Sequence, residues 1–264
     1  MAQVSSISRV GTTEPFELQI SRGQISFHKF IHKFGYNPNI GTSDETIWSE
    51  GGLYAYPASA STMYISSSST ADTSAGTGAR TATVSGLDAN FDEISETVSL
   101  NGQTGVQLNG ALNWYRVNRI IVNTAGSGGA NAGVLYVGTE ATPSGGVPTN
   151  KYATVAIGDN QTLMCIWTVP RGYTAYLHQK DVSASSSSGK FAIFTLVARP
   201  DGGVFNVKDR VTLANNSTNI PYWNPLSFSE KTDIEVRAEA DSSGGVITAS
   251  ATLDITYIKN GSDL

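Results

Sequence analysis

Val246-Ile247-Thr248-Ala249-Ser250-Ala251-Thr252-Leu253-Asp254-Ile255-Thr256-Tyr257-Ile258 is the most regular stretch of the chain. Leu253, Ile255 and Tyr257 fall on one side of a two-residue period, and Thr252, Asp254 and Thr256 on the other. That is the pattern of a strand with one face in a core and the other in water or at an interface. Working back from it, apolar runs at 114–122, 134–137, 153–157, 163–169, 174–178, 191–198, 204–207 and 234–240 are separated by clusters of Gly, Pro, Asn and Ser. Short strands punctuated in this way predict an antiparallel two-sheet sandwich or jelly roll over 111–264.

Upstream, 53–110 reads as a smaller β region with long polar loops. Asn101-Gly102 and Asn109-Gly110 signal tight turns there, because Asn-Gly tolerates the positive φ angles of type I′ turns. The first 52 residues differ. In Ile25-Ser26-Phe27-His28-Lys29-Phe30-Ile31-His32-Lys33-Phe34 the spacing of 27, 30, 31 and 34 fits a helix, whereas 25 and 27 fit a strand. The segment therefore reads as a short helix or an irregular arm, and 1–52 as an assembly segment that adds little to its own domain's core. Left in water, Phe16, Phe27, Phe30, Ile31, Phe34 and Trp48 would each forgo roughly 1.5–3 kcal/mol of burial, so they are expected to bury against another chain.

Composition narrows the function. Charged residues make up 15% of the chain and Gly occurs 27 times, which favours strands and turns over helices. The formal charge of −5, with no basic run longer than a pair, argues against nucleic acid as a partner. No stretch approaches a membrane span and the first residues lack the pattern of a signal peptide, so neither a membrane nor secretion is expected. The single cysteine, Cys165, sits in Leu163-Met164-Cys165-Ile166-Trp167 and reads as a small buried hydrophobe, inert as a thiol.

Catalytic and metal-binding patterns are thin. His28 and His32 would share a helix face, but no acidic residue or cysteine follows at ligand spacing, and His178 has no motif around it. Asp88-Ala89-Asn90-Phe91-Asp92-Glu93 begins like a calcium loop, yet it has Glu93 where the loop needs glycine and Ser99 where it needs a closing glutamate; a turn capped by Asp88 fits better. The glycine-rich segment 125–133 lacks the GxGxxG spacing and leads into a strand, and the SxxK match of Ser187 and Lys190 lies in a serine run. No catalytic residue, metal ligand or cofactor is assigned. The candidates that remain are aromatic: Phe27, Phe30 and Phe34, then Trp48, Tyr54 and Tyr56 in turn-rich sequence, and Trp223 in Ile220-Pro221-Tyr222-Trp223-Asn224-Pro225. These are expected to be accessible and to bind a partner, a protein sooner than a glycan.

Several phrases resemble virion structural proteins of short-tailed phages of marine bacteria, including cyanophages. They are Asp44-Glu45-Thr46-Ile47-Trp48-Ser49-Glu50-Gly51-Gly52, Leu87-Asp88-Ala89-Asn90-Phe91-Asp92-Glu93-Ile94-Ser95-Glu96-Thr97-Val98, Asn160-Gln161-Thr162-Leu163-Met164, Val169-Pro170-Arg171-Gly172-Tyr173-Thr174-Ala175-Tyr176-Leu177 and Glu230-Lys231-Thr232-Asp233-Ile234-Glu235-Val236-Arg237-Ala238. The resemblance runs from about residue 30 onward. It implies a multicopy, non-enzymatic component of a particle, made in the host cytoplasm and placed on the capsid surface or the tail. The implied partners are the major capsid protein, other virion proteins and further copies of this chain. Three functions are compatible with the residues. A capsid decoration or cement protein comes first, then a tail or fibre component that touches a host glycan. A carbohydrate-active enzyme comes last, because it needs two carboxylates facing across a cleft and the sequence marks no such pair.

Overall fold

A computed structural model describes residues 14–109, 112–186, 189–242 and 247–261. Residues 1–13 of the expected arm, the 110/111 boundary, Ser187 of the SxxK match and Val246 at the start of the last strand lie outside the described residues. In chain order the elements are α1 (Phe16–Ser21), β1 (His28–Asn37), β2 (Glu45–Thr46), β3 (Tyr64–Ser67), β4 (Ala79–Asp88), β5 (Glu93–Ser99), β6 (Val106–Gln107), β7 (Trp114–Ala125) and β8 (Leu135–Gly138). They continue with β9 (Ala153–Val155), β10 (Ile166–Thr168), β11 (Tyr173–Ser186), β12 (Phe191–Arg199), β13 (Asn206–Ala214), β14 (Ser217–Phe228), β15 (Asp233–Ala240) and β16 (Ile247–Lys259). The fold is all-β, as the two-residue periods require. Among the described residues no helix is long and apolar enough to cross a membrane.

Four sheets form two sandwiches. In the first, β1-β16-β11-β14 faces β10-β15-β12-β13, with β2 also on β15. β2 and β10 are two halves of one strand. Arg237 and Ala238 of β15 pair with Thr46 and Glu45, the Ile47 N–H bonds to the Val236 carbonyl at 2.9 Å, and Glu235, Ile234 and Asp233 then pair with Ile166, Trp167 and Thr168. The cut ends stay joined, because the Cys165 N–H donates to the Ile47 carbonyl at 2.9 Å. Counted as one strand, they give eight strands ordered 1-8-3-6 and 2-7-4-5, the jelly-roll arrangement. Trp167, Phe194, Leu196, Ile234, Leu253 and Ile255 fill the space between its sheets together with Ile47 and Cys165.

Residues 48–164 are the insertion, and they build the second sandwich. There β6-β3-β8-β9 faces β5-β4-β7 over Met63, Ile65, Val84, Leu108, Trp114, Ile120, Leu135 and Val155. The division expected at residue 111 is therefore corrected. Trp114, Ile120 and Val155 share a core with Met63 and Val84, so 114–155 belongs with 53–110 and not with the C-terminal strands.

The helix-or-arm reading of 25–34 is corrected as well. β1 pairs with β16 without interruption from His28↔Ile258 to Asn37↔Ala249, so the segment is an edge strand of its own jelly roll. Backbone pairing across ten residues outweighs the helical spacing of four aromatic positions, and β16 offers the matching edge. Ile31 packs against the core, Ile40 and Ile47 lie within it, and among the described residues α1 is the one element at this end outside the sheets. Gly35 explains how β1 passes the interrupted strand. A Cβ there would lie 2.2 Å from the Ile47 carbonyl oxygen and 2.4 Å from the Cys165 nitrogen, where no side chain fits. Gly35→Ala should therefore destabilise the protein by roughly 3 kcal/mol, lowering its melting temperature by roughly 6–12 °C. Gly172→Ala, at a positive φ of 76° with nothing within 4 Å, should cost only about 1–2 kcal/mol. Equal melting temperatures for the two variants would refute this packing of β1.

Candidate functional site

A buried polar cluster joins the two sandwiches. Asp233 opens β15, and its buried carboxylate accepts five hydrogen bonds. Arg116 of β7, in the inserted sandwich, donates through Nε at 2.9 Å and Nη2 at 3.1 Å. Arg199 of β12 donates through Nη2 at 2.6 Å and Nε at 3.2 Å, and the Thr168 hydroxyl at 2.6 Å. Two residues on, Glu235 points to the same side of β15. It accepts from Arg237, from the Tyr56 hydroxyl at 3.3 Å and from the Thr46 hydroxyl at 3.4 Å. Burial raises the Glu235 carboxyl pKa, against the pull of Arg237.

Aromatic rings cover the cations. The Arg116 guanidinium lies 4.1 Å from the Tyr115 ring centre, and those of Arg199 and Arg237 each lie 4.6 Å from the Phe205 ring. A pocket of about 300 Å³ opens beside them, lined by Tyr56, Tyr115, Arg116, Arg199 and Asp233 among others. Two carboxylates two residues apart beside a pocket have the composition of a hydrolase site, but here each is committed to arginine. Asp233 in particular has its acceptor sites filled, so the arrangement acts as a clamp.

The sequence-predicted aromatics are brought together in part: Trp48, Tyr54 and Tyr56 pack edge-to-face in series, with ring centres 5.2 and 4.7 Å apart, while among the described residues Phe27, Phe30, Phe34 and Trp223 do not join them. Trp48 and Tyr54, expected to be accessible, are buried in the inserted sandwich and are withdrawn as surface candidates. The Trp48 indole N–H donates to the Gly51 carbonyl at 2.9 Å, and the Tyr54 hydroxyl to the Tyr152 carbonyl at 2.9 Å, so each polar tip is satisfied internally. Tyr56 is half-buried and belongs to the clamp. Phe34 is half-buried with the Arg119 guanidinium 5.2 Å from its ring. Phe27 and Phe30 are exposed near one edge of the β1-β16-β11-β14 sheet, and Trp223 is exposed at the other. β14 pairs Leu226 with Leu177 and then Pro221 with Gln179, so residues 222–225 loop out opposite the single residue His178. Trp223 stands on that bulge between Pro221 and Pro225, 93% exposed.

The remaining motifs resolve into structure. As a strand, β1 places His28 and His32 roughly 13 Å apart along its length. His28 contacts the Ser26 carbonyl and His32 the Asp254 carboxylate. Asp88 accepts the N–H groups of Asn90 and Asp92 at 2.8 and 2.9 Å, a side-chain-capped turn, while Arg171 grips Asp92 at 2.6 and 3.0 Å. The glycine-rich segment does present N–H groups to an anion, and that anion is internal. Ala132 and Gly133 each donate to the buried Asp72 carboxylate at 2.8 Å, alongside Ala79 and the Ser67 hydroxyl at 2.6 Å. Cys165 is fully buried, which pushes its thiol pKa up to about 12.

Sequence reasoning missed Arg116, Arg199 and Lys33. Asp233 and Glu235 carried a signal in Asp233-Ile234-Glu235-Val236-Arg237, where acids alternate with core residues, but their partners are remote in sequence. Lys33 carried none. It is buried on β1, and its ammonium donates to the Asn118 carbonyl of β7.

No family model matches the chain, and no curated protein matches it. Among solved structures it is similar to one of infectious bursal disease virus Gx strain, at 14% identity over 90% of this chain and 73% of that one, with a TM-score of 0.28. An infectious bursal disease virus VP2 subviral particle gives 14% identity over 89% and 72%, with a TM-score of 0.23. The STIV MCP gives 10% identity over 88% and 97%, with a TM-score of 0.21. Scores this low establish neither a common fold nor a common function.

Lys33 yields a pH dependence. Burial, reinforced by nearby Arg119, lowers its pKa from 10.5 to about 7, so between those values the unfolded chain holds a proton that the folded chain has released. Stability then rises with pH across that window, by about 1.4 kcal/mol per unit, and the full cost of the buried charge is felt below it. Lys33→Met should be more stable than the parent, with its advantage largest below about pH 7 and shrinking towards pH 10 in urea unfolding. An advantage independent of pH would refute the assignment.

Proposed function

We propose that the chain is a non-enzymatic structural protein of a phage virion, most specifically a decoration or cement protein that binds the capsid surface and stabilises the particle. The observation that carries this reading is Trp223. An indole 93% exposed, on a bulge stiffened by two prolines, is pre-organised for a partner and gains little from solvent. Phe27 and Phe30 add exposed apolar surface near the opposite edge of the same sheet. The jelly roll supports the reading by analogy, since viral capsid domains use it, although lectin domains and cupins do so too. The arginine-bound state of Asp233 and Glu235 favours a structural role over a hydrolytic one, and the phrases shared with phage virion proteins point the same way.

The test is to purify particles from infected host cells, count this chain by quantitative mass spectrometry and locate it by electron cryomicroscopy. A fixed multicopy position on the head is expected. Trp223→Ala should reduce its binding to particles by at least about tenfold while shifting its own melting temperature by no more than about 1 °C. Absence from purified particles, or full occupancy by the variant, would overturn the proposal. Density on the tail would replace capsid decoration with the fibre-associated role and its host glycan.

A further inference from the structure

A groove of about 510 Å³ runs along the seam between β1 and the outer face of the β5-β4-β7 sheet. Lys33, Arg119 and Glu93 line it, and so do Ser85, Ser95, Ile31 and Ile121. Among the described residues neither cation lies within salt-bridge distance of a carboxylate. Lys33 is 1% exposed and has the Asn118 carbonyl as its acceptor, which leaves an ammonium with two further N–H groups to satisfy. Arg119 donates Nη2 to the His32 carbonyl at 2.9 Å and lies 5.2 Å from the Phe34 ring, and among the described residues its other donors meet no protein acceptor.

The other charged groups around the groove do not supply the missing anion. Glu93, on β5, is held by Lys29 and by the Tyr257 hydroxyl at 2.9 Å. His32, on β1, faces Asp254 across the strand pair, and Cys165 lies in the core with its thiol protonated. Two cations of like sign, partly desolvated and close enough to repel, are costly unless an anion joins them.

We propose that this groove binds a carboxylate, with Lys33 and Arg119 on the anionic head and Ile31 and Ile121 beside a short apolar stem. Ser85 and Ser95, already 3.1 Å apart, add hydroxyls beside the head. The site is separate from the surface that carries Trp223, and it stands whether or not the chain belongs to a virion. Because Lys33 holds its proton only below about pH 7 in the empty groove, binding is tied to proton uptake.

The experiment is calorimetric titration of the full chain with hexanoate and, separately, with N-acetylglutamate amide, which distinguishes an alkyl acid from an acidic side chain. Saturable binding of at least one is expected at about pH 6, weakening about tenfold by pH 8 as the amine loses its proton. Lys33→Met should fold and lose this binding. Arg119→Gln, which removes the second cation without disturbing the core, should weaken it at least about tenfold. No saturation by either carboxylate below about 20 mM would overturn the proposal. Unchanged affinity in either variant, or equal affinity for sulfate, would do the same.

Discussion

Five hydrogen bonds on one buried carboxylate hold this molecule in its arrangement. Asp233 ties β7 of the inserted sandwich to β10, β12 and β15 of the jelly roll, through Arg116, Thr168 and Arg199. A carboxylate withdrawn from water is tolerable only when its lone pairs are filled, and each arginine is tolerable only against that carboxylate and the rings stacked on it. Removing Asp233 leaves Arg116 buried without a counter-charge and Arg199 half-buried without one, so the cluster enforces one relative placement of the sandwiches. Lys29 with Glu93 and Arg171 with Asp92 repeat the bridge along the seam with weaker, more exposed contacts, and the buried Lys33 adds a hydrogen bond to the Asn118 carbonyl.

That clamp is needed because of where the insertion sits. Residues 48–164 leave the jelly roll between two hydrogen-bonded residues, Ile47 and Cys165, in the middle of a strand beside β15. Two covalent crossings so close together form a hinge, and a hinge carrying a whole sandwich would swing freely without a second attachment. β1 supplies part of that attachment. It closes the jelly roll against β16, crosses the hinge at Gly35, and sends Lys33 to β7. Residues 28–47 of the segment that resembled an assembly arm are therefore part of the frame, and Phe27, Phe30 and Trp223 are among the large apolar side chains left exposed.

The strands were legible because their two-residue periods are strong. Leu253, Ile255 and Tyr257 face the core as the alternation requires, and Cys165 lies where its apolar neighbours place it. β1 was not legible, since Phe27, Phe30, Ile31 and Phe34 satisfy a helical spacing and only the partner strand more than 200 residues away decides otherwise. The insertion was hidden for the same reason, since periodicity identifies a strand and is silent on which sheet receives it. Trp48 and Tyr54 sit among glycines and so suggested exposure, but those glycines turn the chain back to accept the indole N–H. Arg116 and Asp233 are 117 positions apart, and nothing local in either marks the other.

Whether the clamp makes one body of two sandwiches is decided most directly by differential scanning calorimetry of the parent and of Asp233→Ala. The parent should unfold in a single transition whose calorimetric and van't Hoff enthalpies agree. The variant, with Arg116 and Arg199 stranded, should lose about 3–5 kcal/mol, melt at least roughly 6 °C lower, and resolve into two transitions as the sandwiches uncouple. A parent that already melts in two steps, or a variant that melts in one step at the parental temperature, would contradict it.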